Sequence, residues 1–325
     1  MKKSLIALTV LGSVATIASA QSNVTLYGRA DGGLGKAFGG KAQMTSSYKE
    51  TSMLGLRGRE DLGGGRVAIF NFEQEVDLKT GAGGSWNRAA YVGMGGGFGE
   101  FSMGRRTTPQ SDTMGVFDLN GTANATSALK NLGLRADGSL GGNRANSQFM
   151  YTSPTMSGFQ ARASVVLKEN KTAPAAGAAD TRKTSYQLAA SYKSGPLNLG
   201  IVVASKMAEG SADRTGFALG ARYDFGSFIV SGLYTQDESR TTGKGFGLGV
   251  AVPLGALTVG AQVARVTSNP SATREGATAI ELFANYKLSK RTLLYAGYGG
   301  LNKEGKAING TTGSNTFGVG MVHRF

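Results

Sequence analysis

The chain reads as all-β: a sixteen-stranded antiparallel transmembrane β-barrel with one long connection folded into its lumen. Three features predict this. Segments of about ten residues alternate apolar and polar positions with period two. Tight glycine-containing turns alternate with longer polar loops. After residue 20 no apolar run approaches the roughly 20 residues a spanning helix needs, and a closed barrel is the other way to satisfy backbone groups in lipid.

The N-terminus predicts export. Met1-Lys2-Lys3, an apolar stretch from Leu5 to Ile17 and Ala18-Ser19-Ala20 before the polar Gln21 form the three-part layout of a cleavable secretory signal. Residues 1–20 are therefore set apart, and 21–325 form the barrel. An exported protein without cysteine gains nothing from disulfides, so a small stapled module is excluded. Glycine, at 51 residues, has no three-residue period, which rules out collagen, and in strands it permits bends and close contacts. The net charge of +14 becomes +12 once Lys2 and Lys3 leave with the signal (14 − 2). Lys and Arg are spread singly rather than in runs, so the surplus points to small anions and not to nucleic acid.

Alternation sets the strands. In Val24-Thr25-Leu26-Tyr27-Gly28-Arg29-Ala30-Asp31 one parity carries Val24, Leu26, Gly28 and Ala30, suited to lipid. The other carries Thr25, Tyr27, Arg29 and Asp31, suited to water. The same split recurs across 159–165, 186–192 and 217–223, and aromatics such as Tyr186, Tyr192, Phe217 and Tyr223 take the lipid parity, as girdle residues do. Strands are predicted at 24–34, 52–61, 66–76, 87–95, 98–106, 145–152, 158–168, 184–194, 196–206, 214–224, 226–236, 244–253, 255–266, 276–288, 291–301 and 314–325. Tight turns such as 61–65, 193–196, 253–255 and 288–291 alternate with loops such as 35–51, 169–183 and 302–313. A soluble sandwich would turn its apolar parity inward and seldom sustains such long strands. Thr107 to Asn143 breaks the rhythm, and a connection of that length in a wide barrel can fold inward and narrow the lumen.

Catalytic and metal chemistry find no residues to use. His323 is the sole histidine and stands in the closing strand, so a Ser/His or Cys/His nucleophilic site is not expected. The glycine run 93–99 has no helix behind it to bind a phosphate. Asp118-Leu119-Asn120-Gly121 lacks the distal Glu of a calcium loop. Neither cofactor nor metal is expected.

Several motifs resemble those of a known family. Val24-Thr25-Leu26-Tyr27-Gly28 looks like a first strand, and Leu54-Gly55-Leu56-Arg57-Gly58-Arg59-Glu60-Asp61-Leu62-Gly63 like a second strand with its turn. Gly104-Arg105 followed by Pro109 resembles the start of a constriction loop, and Arg144-Ala145-Asn146-Ser147 with Tyr151, Ser153 and Pro154 its end. Val319-Gly320-Met321-Val322-His323-Arg324-Phe325 resembles a closing strand. Together they resemble the trimeric general porins of Gram-negative bacteria, β-proteobacterial type, from Val24 to Phe325.

That resemblance implies a homotrimer spanning the outer membrane many times, set among lipid and lipopolysaccharide. It implies a water-filled channel for small hydrophilic solutes, favouring anions. The pore constriction would carry a basic ladder of Arg29, Arg88 and Arg144, with Arg57 standing in where the family often has an arginine and this chain has Met53. Acidic counterparts would be Glu73, which shares parity with Asn71 and Glu75, and Asp112 or Asp118 on the long loop. Phe325, on one parity with Phe317, Val319 and Met321, resembles the signal read by the outer-membrane assembly machinery. Two alternatives stay open on residues alone: a substrate-specific channel, and a closed-lumen barrel acting as adhesin or structural protein.

Overall fold

The computed structural model describes residues 23–134, 142–171, 183–205, 216–237, 243–268 and 275–325. The expected export signal, residues 1–20, lies outside them. The strands are β1 (Asn23–Lys36), β2 (Gln43–Ser46), β3 (Met53–Gly63), β4 (Arg66–Glu75), β5 (Ala89–Gly96), β6 (Gly99–Thr107), β7 (Arg144–Thr152), β8 (Phe159–Val166) and β9 (Ser185–Ser194). They continue as β10 (Leu197–Ala204), β11 (Gly216–Asp224), β12 (Ile229–Asp237), β13 (Gly243–Leu254), β14 (Leu257–Ser268), β15 (Thr278–Lys287), β16 (Thr292–Leu301) and β17 (Asn315–Arg324). Every pairing is antiparallel, and β1 pairs with β17, so the sheet closes on itself and leaves no open edge. Reciprocal backbone bonds between Gly28 and Phe325, at 3.0 and 3.1 Å, finish the seam.

Sixteen of these strands are the predicted staves. The extra one is β2, four residues inside the first long connection, which pairs with the upper half of β1 while β3 pairs with the lower half. Four residues are too few for a period to register, so the sequence reads this stretch as loop. The predicted alternation matches burial: Val24, Leu26, Leu34, Leu188, Leu219, Phe317, Val319, Met321 and Phe325 are exposed on the outside, where lipid would lie. Asp31, Gln187, Ser231, Gln262 and Glu281 are buried on the opposite parity. Turn chemistry follows the strands, since Gly63, Gly64 and Gly65 take φ of 76°, 62° and 72° in succession, a left-handed run that side chains resist.

The long connection holds α1 (Pro109–Met114), a 3₁₀ turn (Gly115–Phe117) and α2 (Ala128–Asn131). Thr108 caps α1, its Oγ1 accepting from the Ser111 N–H at 3.2 Å, with Pro109 opening the helix. A third short helix, α3 (Lys303–Asn309), sits in the last connection, capped by Asn302 and ended by left-handed Gly310. All three are too short for a helical period to show in the sequence.

Candidate functional site

The long connection lies along the inner wall. Met114, Phe117, Leu129, Leu132 and Leu134 are buried against Val202, Ala204, Ala218, Leu233, Ala264 and Val266, all on inward positions of β10 to β14. Burying five such side chains is worth on the order of 10 kcal/mol relative to leaving them in water. Inward glycines make the room. A Cβ on Gly220 would stand 2.2 Å from the Phe117 ring, and one on Gly247 2.2 Å from Leu129. Polar bonds finish the docking: Ser231 Oγ donates to the Phe117 carbonyl at 2.7 Å, Thr235 Oγ1 to that of Leu134 at 2.8 Å, and the Leu119 N–H to Gln262 at 3.0 Å.

Across from the docked segment, on the wall built by β1 and β3 to β8, the arginines gather. Arg29 faces inward, as its parity predicts; its Nε donates to the Thr51 carbonyl at 2.7 Å and its guanidinium lies 3.6 Å from Glu50. Arg88 and Arg144 reach the same place by another route. Arg88 stands on a bend just before β5, and Arg144 opens β7 above a register shift between β6 and β7, so alternation places neither. Arg144 Nε donates to the Arg88 carbonyl at 2.8 Å, and Arg88 lies within electrostatic reach of both Arg144 and Arg29. Arg57 sits one rung away, its guanidinium 4.9 Å over the Tyr27 ring, beside an open cavity of about 870 Å³ that Arg59, Asn71 and Tyr91 also line.

The acids divide. Glu73 faces inward with Asn71 and Glu75, pairs with Arg88 at 3.6 Å and accepts from the Tyr27 hydroxyl at 2.7 Å. Asp112 lies 3.9 Å from Arg106. Asp118 corrects the expectation of a pore-facing charge: it is 4% exposed, and its carboxylate accepts from Ser127 Oγ at 2.6 Å and Gln262 Nε2 at 3.0 Å. A short side chain at the head of a segment pressed on the wall points into that contact, not toward water.

Four residues of this region escape the sequence reading. Glu50 bridges Arg29 and Arg324 from a loop without periodicity. Arg106 contacts Glu100, Ser102 and the Tyr91 ring. Arg162 reaches Gln160, Thr113 and Ser191, and its parity with Gln160 and Ser164 could have found it. Glu281, fully buried, was equally legible between the outward Ile280 and Leu282. His323, at the exposed end of β17, stands 3.0 Å from the Thr292 hydroxyl.

A family model described as Gram-negative porin matches residues 7–306. Outer membrane porin protein 32 of Delftia acidovorans is 33% identical over 344 residues, spanning 99% of this chain and 95% of that one. An outer membrane porin protein of Bordetella pertussis is 29% identical over 393 residues, spanning 100% of both. The solved structure of an anion-selective porin from Comamonas acidovorans superposes with a TM-score of 0.74 at 28% identity, over 94% of this chain and 100% of that one. With its closed sheet, outward apolar parity and inward-docked loop, the chain belongs to the Gram-negative porin family, as a multi-pass outer-membrane diffusion channel and not an enzyme.

Proposed function

We propose that the mature protein, starting at Gln21, works as a homotrimer of anion-favouring general diffusion channels among lipid and lipopolysaccharide. In this reading the narrowest passage runs between the docked segment and the wall of Arg29, Arg88 and Arg144, with Arg57 on the way out. Phe325 is the feature that the assembly machinery reads.

The observation that carries the reading is the gathering of three guanidiniums on one wall. Glu50, Glu73 and Glu75 offset these three, so the positive surplus comes from adding Arg57 and Arg324, which lie beside them, and is smaller than free arginines would give. An arginine about 8 Å from a passing monovalent anion contributes roughly 0.5 to 2 kcal/mol at effective dielectrics between 80 and 20. Two such contributions exceed thermal energy. The similarity to a porin described as anion-selective supports the same sign.

Changing Arg88 and Arg144 together to Glu moves four charge units in that passage. Under a salt gradient in a planar bilayer, the double variant's reversal potential is expected to shift toward cations, by less as salt rises. A variant that inserts normally and keeps the wild-type potential removes both residues from the passage.

A further inference from the structure

We propose that Lys49 is a positioning residue of the channel: its buried side chain ties the middle of the long connection to the first loop, and this tie keeps the passage open. The inference rests on the channel reading above but concerns how the loop is held, not which ions it favours.

The two ends of the docked segment are held by apolar contacts, Met114 and Phe117 on one side, Leu129 to Leu134 on the other. Between them, residues 118–127 are mostly small or polar, with Ala125 packed on the Tyr48–Tyr295 pair and Leu119 lying against Gly249. The rest of their hold is a buried polar network in which Glu281 takes bonds from Asn120, Asn124, Thr126 and Gln262 on the wall side, and Lys49 bonds Asn120 from the side of the first loop. Lys49 is 6% exposed, and its Nζ donates to both the backbone carbonyl and the side-chain oxygen of Asn120. Gly121, at φ 92°, presents its Cα face to the same ammonium, where an added Cβ would lie 3.9 Å away. Next to this, the Tyr48 carbonyl accepts from the Ala125 N–H at 2.8 Å, so the two connections share a backbone bond as well.

The base of the lysine is fixed with equal care. Asp31 on β1 accepts the N–H groups of Lys49 and Glu50 at 2.6 Å each and the Tyr295 hydroxyl at 2.7 Å. Tyr48 stacks on Tyr295 with ring centroids 6.4 Å apart. Lys49 is thus a strut with one end bonded to the wall and the other to the loop. On the far side of Asn120, Glu281 accepts from Asn120 at 2.7 Å, from Thr126 at 2.8 Å and from Gln262 at 2.8 Å. Burial pushes the Lys49 ammonium below its ordinary pKa, while the charges of Glu50, Glu281, Asp118 and Asp31 push it back up. Asp31, Asp118 and Glu281 lie within electrostatic reach of the ammonium, as does Glu50, which also pairs with Arg29 and Arg324. Without the ammonium, the Asn120 backbone carbonyl loses its lysine donor, and the buried Glu281 loses a nearby positive charge. Residues 118–127 would then lift from the wall into the passage.

The test compares wild type, K49M, which keeps length without charge, and K49R, which keeps charge and donors. Each is inserted into planar bilayers after its assembly is verified by the heat-resistant band in electrophoresis. K49M is expected to keep the wild-type reversal potential while closing events rise at least about tenfold, the shift expected on losing a hydrogen bond to a charged group. K49R is expected to restore most of the quiet open state. K49M gating like wild type overturns the tie, and so does K49R closing as often as K49M. Should K49M fail to assemble, K49M combined with D118N removes a carboxylate along with the ammonium. Frequent closure there supports the tie, and wild-type gating overturns it. A conducting wild type with an unaltered K49M sinks the role of Lys49 alone, whereas an unselective wild type sinks the anion reading and leaves the closing events as a separate result.

Discussion

Met53 on β3 stands between Arg29 on β1 and Glu75 on β4, inward on all three strands. An arginine placed there meets Glu75 at cross-strand distance, about 5 Å between Cβ atoms, so part of its charge is neutralised on arrival. M53R is therefore expected to raise chloride preference by less than a free charge would, read as a reversal-potential shift toward chloride. An unchanged reversal potential would mean that residue 53 does not face the passage. The same residue-scale view separates what the sequence could reveal from what it could not. Arg29 and Glu73 obey a two-residue period and are placed by it, and Glu281 obeys the same period although the sequence reading does not name it. Arg88 and Arg144 sit at a bend and beside a register shift, so only resemblance to a family brings them in. Glu50 and Lys49 lie in a loop with no period at all. Chemistry alone cannot say which way a loop carboxylate turns, so the sequence leaves Asp112 and Asp118 as equal candidates, and Asp118 turns into the wall.

At the scale of elements, strands longer than about seven residues are legible because each repeats its own pattern several times. The missed pieces, β2, α1, α2 and α3, are four, six, four and seven residues long. Inward glycines on β10, β11 and β13 were legible only as small residues opposite large ones; their partners, Phe117 and Leu129, come from far along the chain. This contact makes a prediction. G220A places a methyl group into the Phe117 ring, an overpacking that costs about 1 to 3 kcal/mol or displaces α1. Adding F117A opens the space, so the double variant should unfold in urea with less loss than the two single changes added together. Strict additivity would separate Phe117 from Gly220.

For the whole molecule, stability comes from closure. Each of the sixteen staves is paired on both sides, and the last residue finishes the seam on Gly28, with the Phe325 ring lying where a Cβ on Gly28 would be. Deleting Phe325 removes two backbone bonds and uncovers the β1 edge at that point. The heat-resistant oligomer band should fall sharply in cells, and a band of wild-type intensity would show that assembly does not read this residue. The chain carries a formal surplus of fourteen positive charges, and in the proposed channel that surplus acts where low-dielectric walls and a narrow passage bring fixed guanidiniums close to passing ions.

The most direct test is the zero-current potential of the wild-type channel across a potassium chloride gradient, repeated as the mean concentration rises from tens of millimolar to molar. Screening lengths fall from tens of ångströms to about 3 Å over that range. The expected potential has the sign that means chloride crosses faster than potassium, and is large in dilute salt and shrinks steadily as salt rises. A potential near zero throughout, or one favouring potassium, would contradict the anion preference.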